Sequence, residues 1–176
     1  RNPAFEDARA RYWLAYRGGK IVGRVAAMIV PRHEEKWGER YMRFGWLDFI
    51  DDTEVLRALM EKVEGWAQQE GMDGVHGPLG FTDLDREGML VEGFNETTTL
   101  ATIYNYPYYP VQIEALGYKK DIDWMEFEVT PSAEVPERLE RIADVAMRRL
   151  HLHVLNAKKK SQLLPFVPQI FELIDE

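Results

Sequence analysis

The sequence predicts an α/β fold, a mixed, mostly antiparallel sheet flanked by helices. Three observations carry that expectation. An aromatic, alternating run from Tyr12 to Arg17 is joined through Gly18-Gly19 to a β-branched run from Lys20 to Val30, the pattern of a hairpin. The stretch from Thr53 to Glu70 places Val55, Leu56, Leu59, Met60, Val63, Trp66 and Ala67 at the spacing of one helical stripe. A short apolar segment, Gly74 to Leu79, follows at once, so strand, helix and strand alternate there.

Each element has a local reason. The turn falls on Gly18-Gly19 because a two-residue hairpin loop needs positive φ at both positions. Val22, Val25, Ile29 and Val30 give the second strand its β-branched bulk. Pro31 to Arg40 is charged and polar and reads as a loop. Tyr41 to Ile50 is a third strand, on which strict alternation puts Phe44, Trp46, Asp48 and Ile50 on one face. Asp52 or Thr53 caps the long helix and Gly71 ends it. Phe81 to Asn95 is loop-rich and Thr97 to Ile103 extended. Pro107 to Leu116 is a second helix, with Pro110 confined to its first turn. Tyr118 to Val129 reads as one long strand, or a hairpin around Lys120-Asp121.

Pro131-Ser132 marks a boundary, giving a first domain of residues 1–130 and a helix–strand–helix unit of residues 131–176. In the second, Glu137 to Leu150 is helical with Leu139, Ile142, Ala146 and Leu150 on one side. His151 to Ala157 is a strand and Lys158 to Lys160 a solvated loop. From Ser161 onward the chain is broken by Pro165 and Pro168 and then becomes a helix, with Val167, Ile170, Phe171 and Ile174 facing inward.

Composition narrows the function. Of 176 residues 45% are hydrophobic, enough for a core and against global disorder. A formal net charge of −8 argues against nucleic acid as a main partner. Without cysteine there is no disulfide, thiolate nucleophile or zinc–thiolate site. No apolar run has the length of a membrane span and no signal-peptide pattern opens the chain. The start on Arg1 and the finish on a helix are expected of a piece trimmed from a longer cytoplasmic protein.

Several side chains are candidates for chemistry. Asp48 stands among aromatics, where a carboxylate can serve as general base toward an amine; the plainer reading is a strand-end acid bonding a backbone N–H. Glu92, in VEGF, is a second carboxylate beside an aromatic. Tyr108 and Tyr109 are phenols that can donate a proton or simply pack against Pro107 and Pro110. Asn105 to Pro110, with three tyrosines and two prolines, reads equally as the lip of a cleft or as a stiff entry to the helix. His151 and His153 share a face of the expected strand but have no third ligand at sensible spacing, so no metal is expected. His33 and His76 stand alone, and His76 reads as a hydrogen-bonded core residue.

The element order, the phrase GGKIVGRVAAMI at Gly18 to Ile29 and the phrase IEALGY at Ile113 to Tyr118 together resemble the GNAT N-acetyltransferase superfamily. More narrowly, VEGFNETTTLATIYNYPYYPVQIEALGY resembles a group of bacterial GNAT-like proteins carrying a similar "EGF … YNPPYYP … GF" stretch. The resemblance spans roughly Arg11 to Val129. It implies an acyl-CoA N-acyltransferase fold and an acyl-CoA-dependent transfer, most simply acetyl transfer from acetyl-CoA to an amine of a small molecule or peptide. On that reading Asp48 or Glu92 accepts the amine proton and Tyr109 protonates the departing thiolate. Phe49, Ile50, Asp51, Asp52, Thr53 and Tyr108 hold the pantetheine and pyrophosphate. The strand after the long helix must splay from its neighbour to leave a slot for the pantetheine arm.

The sequence departs from the family in three places. The strand and two helices that usually come first have no counterpart, and the unit at the far end, residues 131–176, reads as the start of a second, tandem half or as the completion of the first, supplying its missing strand. The family's tyrosine usually stands four residues before the helix-ending glycine, which is Ile113 here, whereas Tyr109 is eight before. The junction ahead of the long helix is FIDDTEVLRAL, with no glycine to let a pyrophosphate approach and with Asp51, Asp52 and Glu54 where an anion would sit. The alternatives are therefore a non-catalytic GNAT-like binding or structural module that has lost acyl-CoA, or a transferase using another activated donor such as a charged tRNA.

Overall fold

A computed structural model describes residues 3–82, 84–100, 102–130 and 136–175. The chain divides into two compact units, residues 1–123 and 124–176. The expected boundary at Pro131-Ser132 lies outside the described residues.

The first unit is α/β, with a four-stranded mixed sheet flanked by helices. After a 3-10 turn at Pro3–Glu6, β1 (Arg9–Arg17) and β2 (Lys20–Ile29) form the hairpin, and Gly18 and Gly19 both take positive φ, 54° and 77°. A short helix α1 (Pro31–Trp37) leads to β3 (Tyr41–Phe49). Then come α2 (Thr53–Gln69), the three-residue strand β4 (Gly74–His76) and α3 (Tyr108–Ala115). The strand order is β1-β2-β3-β4, antiparallel except for the parallel pair β3/β4, which α2 connects. A parallel neighbour needs such a crossover, and α2 supplies it.

The core lies between α2, α3 and one sheet face. Val25, Ala27 and Ile29 of β2 and Met42, Phe44 and Phe49 of β3 meet the stripe Val55, Leu56, Leu59, Met60, Val63, Trp66 and Ala67, with Tyr109 and Ile113 of α3 closing one end. Each large apolar side chain so buried contributes roughly 1.5–3 kcal/mol. The stripe is the one the sequence predicts, residue for residue. Beyond it Gly71 and Met72 donate back to Gln68 and Ala67 carbonyls, closing the helix where the glycine predicts. A smaller cluster on the opposite face joins Ala8, Met28 and Phe81.

Several expectations are corrected. Pro31–Trp37 is a helix rather than a loop. None of residues 118–130 and none of the described residues within 97–103 is in a strand. β4 stops at His76, so it offers little ladder for a neighbouring strand to pair with. His76 is half-exposed rather than core, its Nε2 3.2 Å from an Asp121 oxygen. In the second unit, α4 (Glu137–Arg149) and α5 (Val167–Asp175) form as helices, but residues 151–157 are not a strand. His151 instead takes φ 50°, so the face it would share with His153 does not exist. The apolar sides are uncovered, with Leu139 55% and Ile142 54% exposed, because amphipathic spacing fixes a face without fixing what covers it.

The third strand breaks its own alternation. Ala26 pairs with Gly45 and Arg24 with Asp48, so Trp46 and Leu47 together face Val25, and Trp46 has φ 47°. This is a β-bulge. It leaves Phe44 on the core face and Asp48 on the opposite one, correcting the single face that plain alternation predicts.

Candidate functional site

The bulge aims Asp48 and Phe49 at the N-terminal turn of α3. The Tyr109 hydroxyl donates to Asp48 Oδ1 at 2.5 Å and accepts from the Phe49 N–H at 3.3 Å. The Tyr108 hydroxyl donates to the Phe49 carbonyl at 2.6 Å. Phe49 pairs with Gly23 across the sheet, and the following residue, Ile50, is the one that donates to Val22. Two phenols thus satisfy both backbone groups of Phe49, as a neighbouring strand would.

They can do so because the strands diverge. β3 and β4 pair only from Tyr41/Gly74 to Arg43/His76. The chain then turns through a cis Gly77-Pro78 bond, and the Leu79 N–H reaches the Phe44 carbonyl at 2.7 Å. Gly45 and the Leu79 carbonyl lie so close that a β-carbon on Gly45 would overlap it. Past that crossing, the side of β3 at Phe49 is met by α3.

α3 is held in place by its own approach. Asn105, buried, accepts from Leu90 N–H at 2.7 Å and donates to Leu90 and Tyr106 carbonyls. Tyr106 stacks on Tyr108 with ring centres 5.7 Å apart. Phe49 packs against the Tyr109 ring at 4.4 Å. Gln112, one turn on and buried, donates to Asp51 Oδ1 at 2.5 Å, while its own Oε1 is buried without a hydrogen-bond partner among the described residues. Ile113 lies in the core.

The electrostatics follow from burial. Tyr109 is only 6% exposed, and burial, then its bond to Asp48, push its phenol well above the usual value. Burial also raises Tyr108. Asp48 is by contrast 61% exposed on its side chain and 3.8 Å from the Arg24 guanidinium. Leu14, Arg24 and Asp48 are successive partners across the sheet, and Tyr12 and Trp46 share their face. Asp48 therefore stands at the end of a half-exposed aromatic and apolar surface.

The start of α2 is closed from within. Asp52 is its N-cap, with Oδ1 accepting from Glu54 and Val55 N–H at 2.9 and 3.3 Å. Its Oδ2 accepts from Arg17 at 2.6 Å, and that bond holds the carboxyl below its usual value. Arg17 also lies 3.9 Å from Glu54. The amides that would bind a diphosphate already have an anion, so these residues do not fit the tail of acyl-CoA here.

The structure thus brings together Tyr109, Asp48, Phe49 and Tyr108 and adds Asp51 through Gln112; Ile50 and Asp52 lie in the turn entering α2, and Thr53 is the first residue of that helix. Glu92 is exposed in the loop before α3, with its field reaching Lys120, and among the described residues no hydrogen bond or ion pair joins it to Asp48 or Tyr109. No group of three or more His, Asp or Glu placed to hold a metal occurs among the described residues. Arg24, Arg17 and Gln112 escaped the sequence reading. Hairpin register could have found Arg24, whereas nothing local signals a contact between Gln112 and Asp51.

No family model matches the sequence. Protein YghO of Escherichia coli (strain K12) is 29% identical over 175 residues, which is 97% of this chain and 44% of that protein. The bacterial ceramide synthase of Caulobacter vibrioides (strain NA1000 / CB15N) is 29% identical over 143 residues, 80% of this chain and 37% of that protein. The chain spans less than half the length of these curated relatives. No solved structure matches.

Proposed function

We propose that the first unit is a GNAT-like acyltransferase unit that passes an acyl group from a thioester, such as an acyl-CoA, to a primary amine with an apolar tail. The observation that carries this reading is the Asp48–Tyr109 pair at 2.5 Å, at the bulge where β3 leaves β4. An ammonium is attracted to Asp48, and the exposed Leu14, Tyr12 and Trp46 offer its tail an apolar surface. The similarity to a protein named bacterial ceramide synthase supports the same chemistry, since a ceramide is a fatty amide of a long-chain amino alcohol.

In this reading the bound ammonium first gives one proton to solvent, and the neutral amine attacks the thioester carbonyl. The C–N bond forms, and the C–S bond breaks with its electron pair leaving on sulfur. The nitrogen turns acidic as it bonds to carbon, and Asp48 accepts its surplus proton and returns it to solvent, from which the thiolate takes one. Tyr109 orients the carboxylate. Even an unperturbed phenol lies about 1.5 units above a thiol, so protonating a thiolate costs it about 2 kcal/mol, and burial makes the donation harder still. Incubating the chain with an acyl thioester and a long-chain primary amine, with amide detected by mass spectrometry, tests the reading. Amide formed by the parent and lost in D48N supports it.

A second reading, a binding or structural module without transfer, is favoured by the closed start of α2. Absence of amide with every thioester offered would select it.

A further inference from the structure

The turn from β3 into α2 is the place in a strand–helix–strand unit where anions generally settle, on free amides at the helix start. Here both oxygens of the Asp52 carboxylate are engaged from inside the chain. Asp52 Oδ1 takes the Glu54 and Val55 amides. Arg17, from the far end of β1, spends its guanidinium on Asp52 Oδ2 and lies within 3.9 Å of Glu54. The neighbouring Asp51 is fastened to the buried Gln112, so it cannot swing away without stranding that amide. An incoming phosphate meets occupied donors, a satisfied arginine and the charge of Asp51, Asp52 and Glu54.

We propose that Asp52 is a specificity-determining residue: it serves as the built-in anion of the α2 start and, with Arg17, excludes nucleoside diphosphates from it. The consequence for a donor, that an acyl thioester is held by its thioester end rather than by a nucleotide tail, rests on the transfer reading above. The exclusion itself does not, and the test needs no turnover.

ADP is titrated into the isotope-labelled chain while the amide resonances of Glu54 and Val55 are followed. The parent is expected to show no saturable shift at those amides up to about 10 mM ADP. D52G frees both amides and Arg17 at a position that tolerates glycine, and is expected to show saturable shifts there, with affinity at least about tenfold above the parent limit. Should D52G fold poorly, D52S keeps a capping oxygen on the amides but drops the charge and frees Arg17 from its bond to Asp52, and a smaller saturable gain is read at the Arg17 guanidinium resonance. Saturation of Glu54 and Val55 in the parent overturns the proposal, as does a folded D52G or D52S that stays silent.

Discussion

The Tyr109 hydroxyl touches Asp48 and Phe49 at once, donating to the carboxylate at 2.5 Å and accepting from the backbone N–H at 3.3 Å. Residues 61 apart in sequence are thereby joined at the point where the sheet opens. The contact ties the fold to the proposed chemistry, since the group that caps the strand also bonds the exposed acid.

Removing that hydroxyl leaves a buried N–H without its partner. Y109F is expected to lose about 1–3 kcal/mol in urea unfolding with an unchanged slope. A loss within experimental error would mean that the bond to Phe49 contributes nothing.

The phenols of Tyr109 and Tyr118 both sit above their usual value, through burial first and then through Asp48 and Glu64. A folded-state value above the unfolded one means that stability is intact below about pH 10 and declines as pH rises beyond it, where the unfolded chain sheds protons first. Unfolding free energy should fall above pH 10, and the fall should shrink in Y118F. Of the eight tyrosines, these two should ionise only as the protein unfolds, which tyrosinate absorbance would reveal.

His33 works in the opposite pH range. Burial and then Arg43 hold it below the usual histidine value, and its Nδ1 accepts from the Arg43 guanidinium at 3.0 Å. Glu39, 3.6 Å from Nε2, and His76 also act on it, in opposite senses. A lowered histidine costs stability as pH drops below about 6.5, because the unfolded state then binds more protons. Denaturant melts at pH 7.5 and 5.5 should differ less in H33N than in the parent.

Gly45 lets the chain after β4 cross β3 with its Leu79 carbonyl against the glycine α-carbon. G45A should cost at least about 1–3 kcal/mol, as overpacking typically does, and weaken hydrogen-exchange protection of the Leu79 amide. Parent-like protection in G45A would show that the crossing has slack.

Much of this is legible in the sequence because it is local. The Gly18-Gly19 turn and the stripe of α2 need only near neighbours to specify them. α1 was present in outline, with Pro31 at its first position and Gly38 in the left-handed region just past its end, but it buries nothing and so lacks an apolar period. The bulge at Trp46 has no such signal, since a tryptophan is an improbable residue for φ 47°, and it decides which face Asp48 joins. Asp48 and Tyr109 could each be singled out by chemistry, while their meeting depends on that bulge and on α3 being anchored through Asn105.

The central claim is that Asp48, held by Tyr109, receives the amine proton during acyl transfer. Its most direct test is kcat/KM for amide formation by the parent, D48N, Y109F and the double variant. The account predicts a loss of about 10²–10⁴-fold in D48N, a smaller loss in Y109F, and a double variant no worse than D48N alone. Transfer by D48N at the parent rate would contradict it.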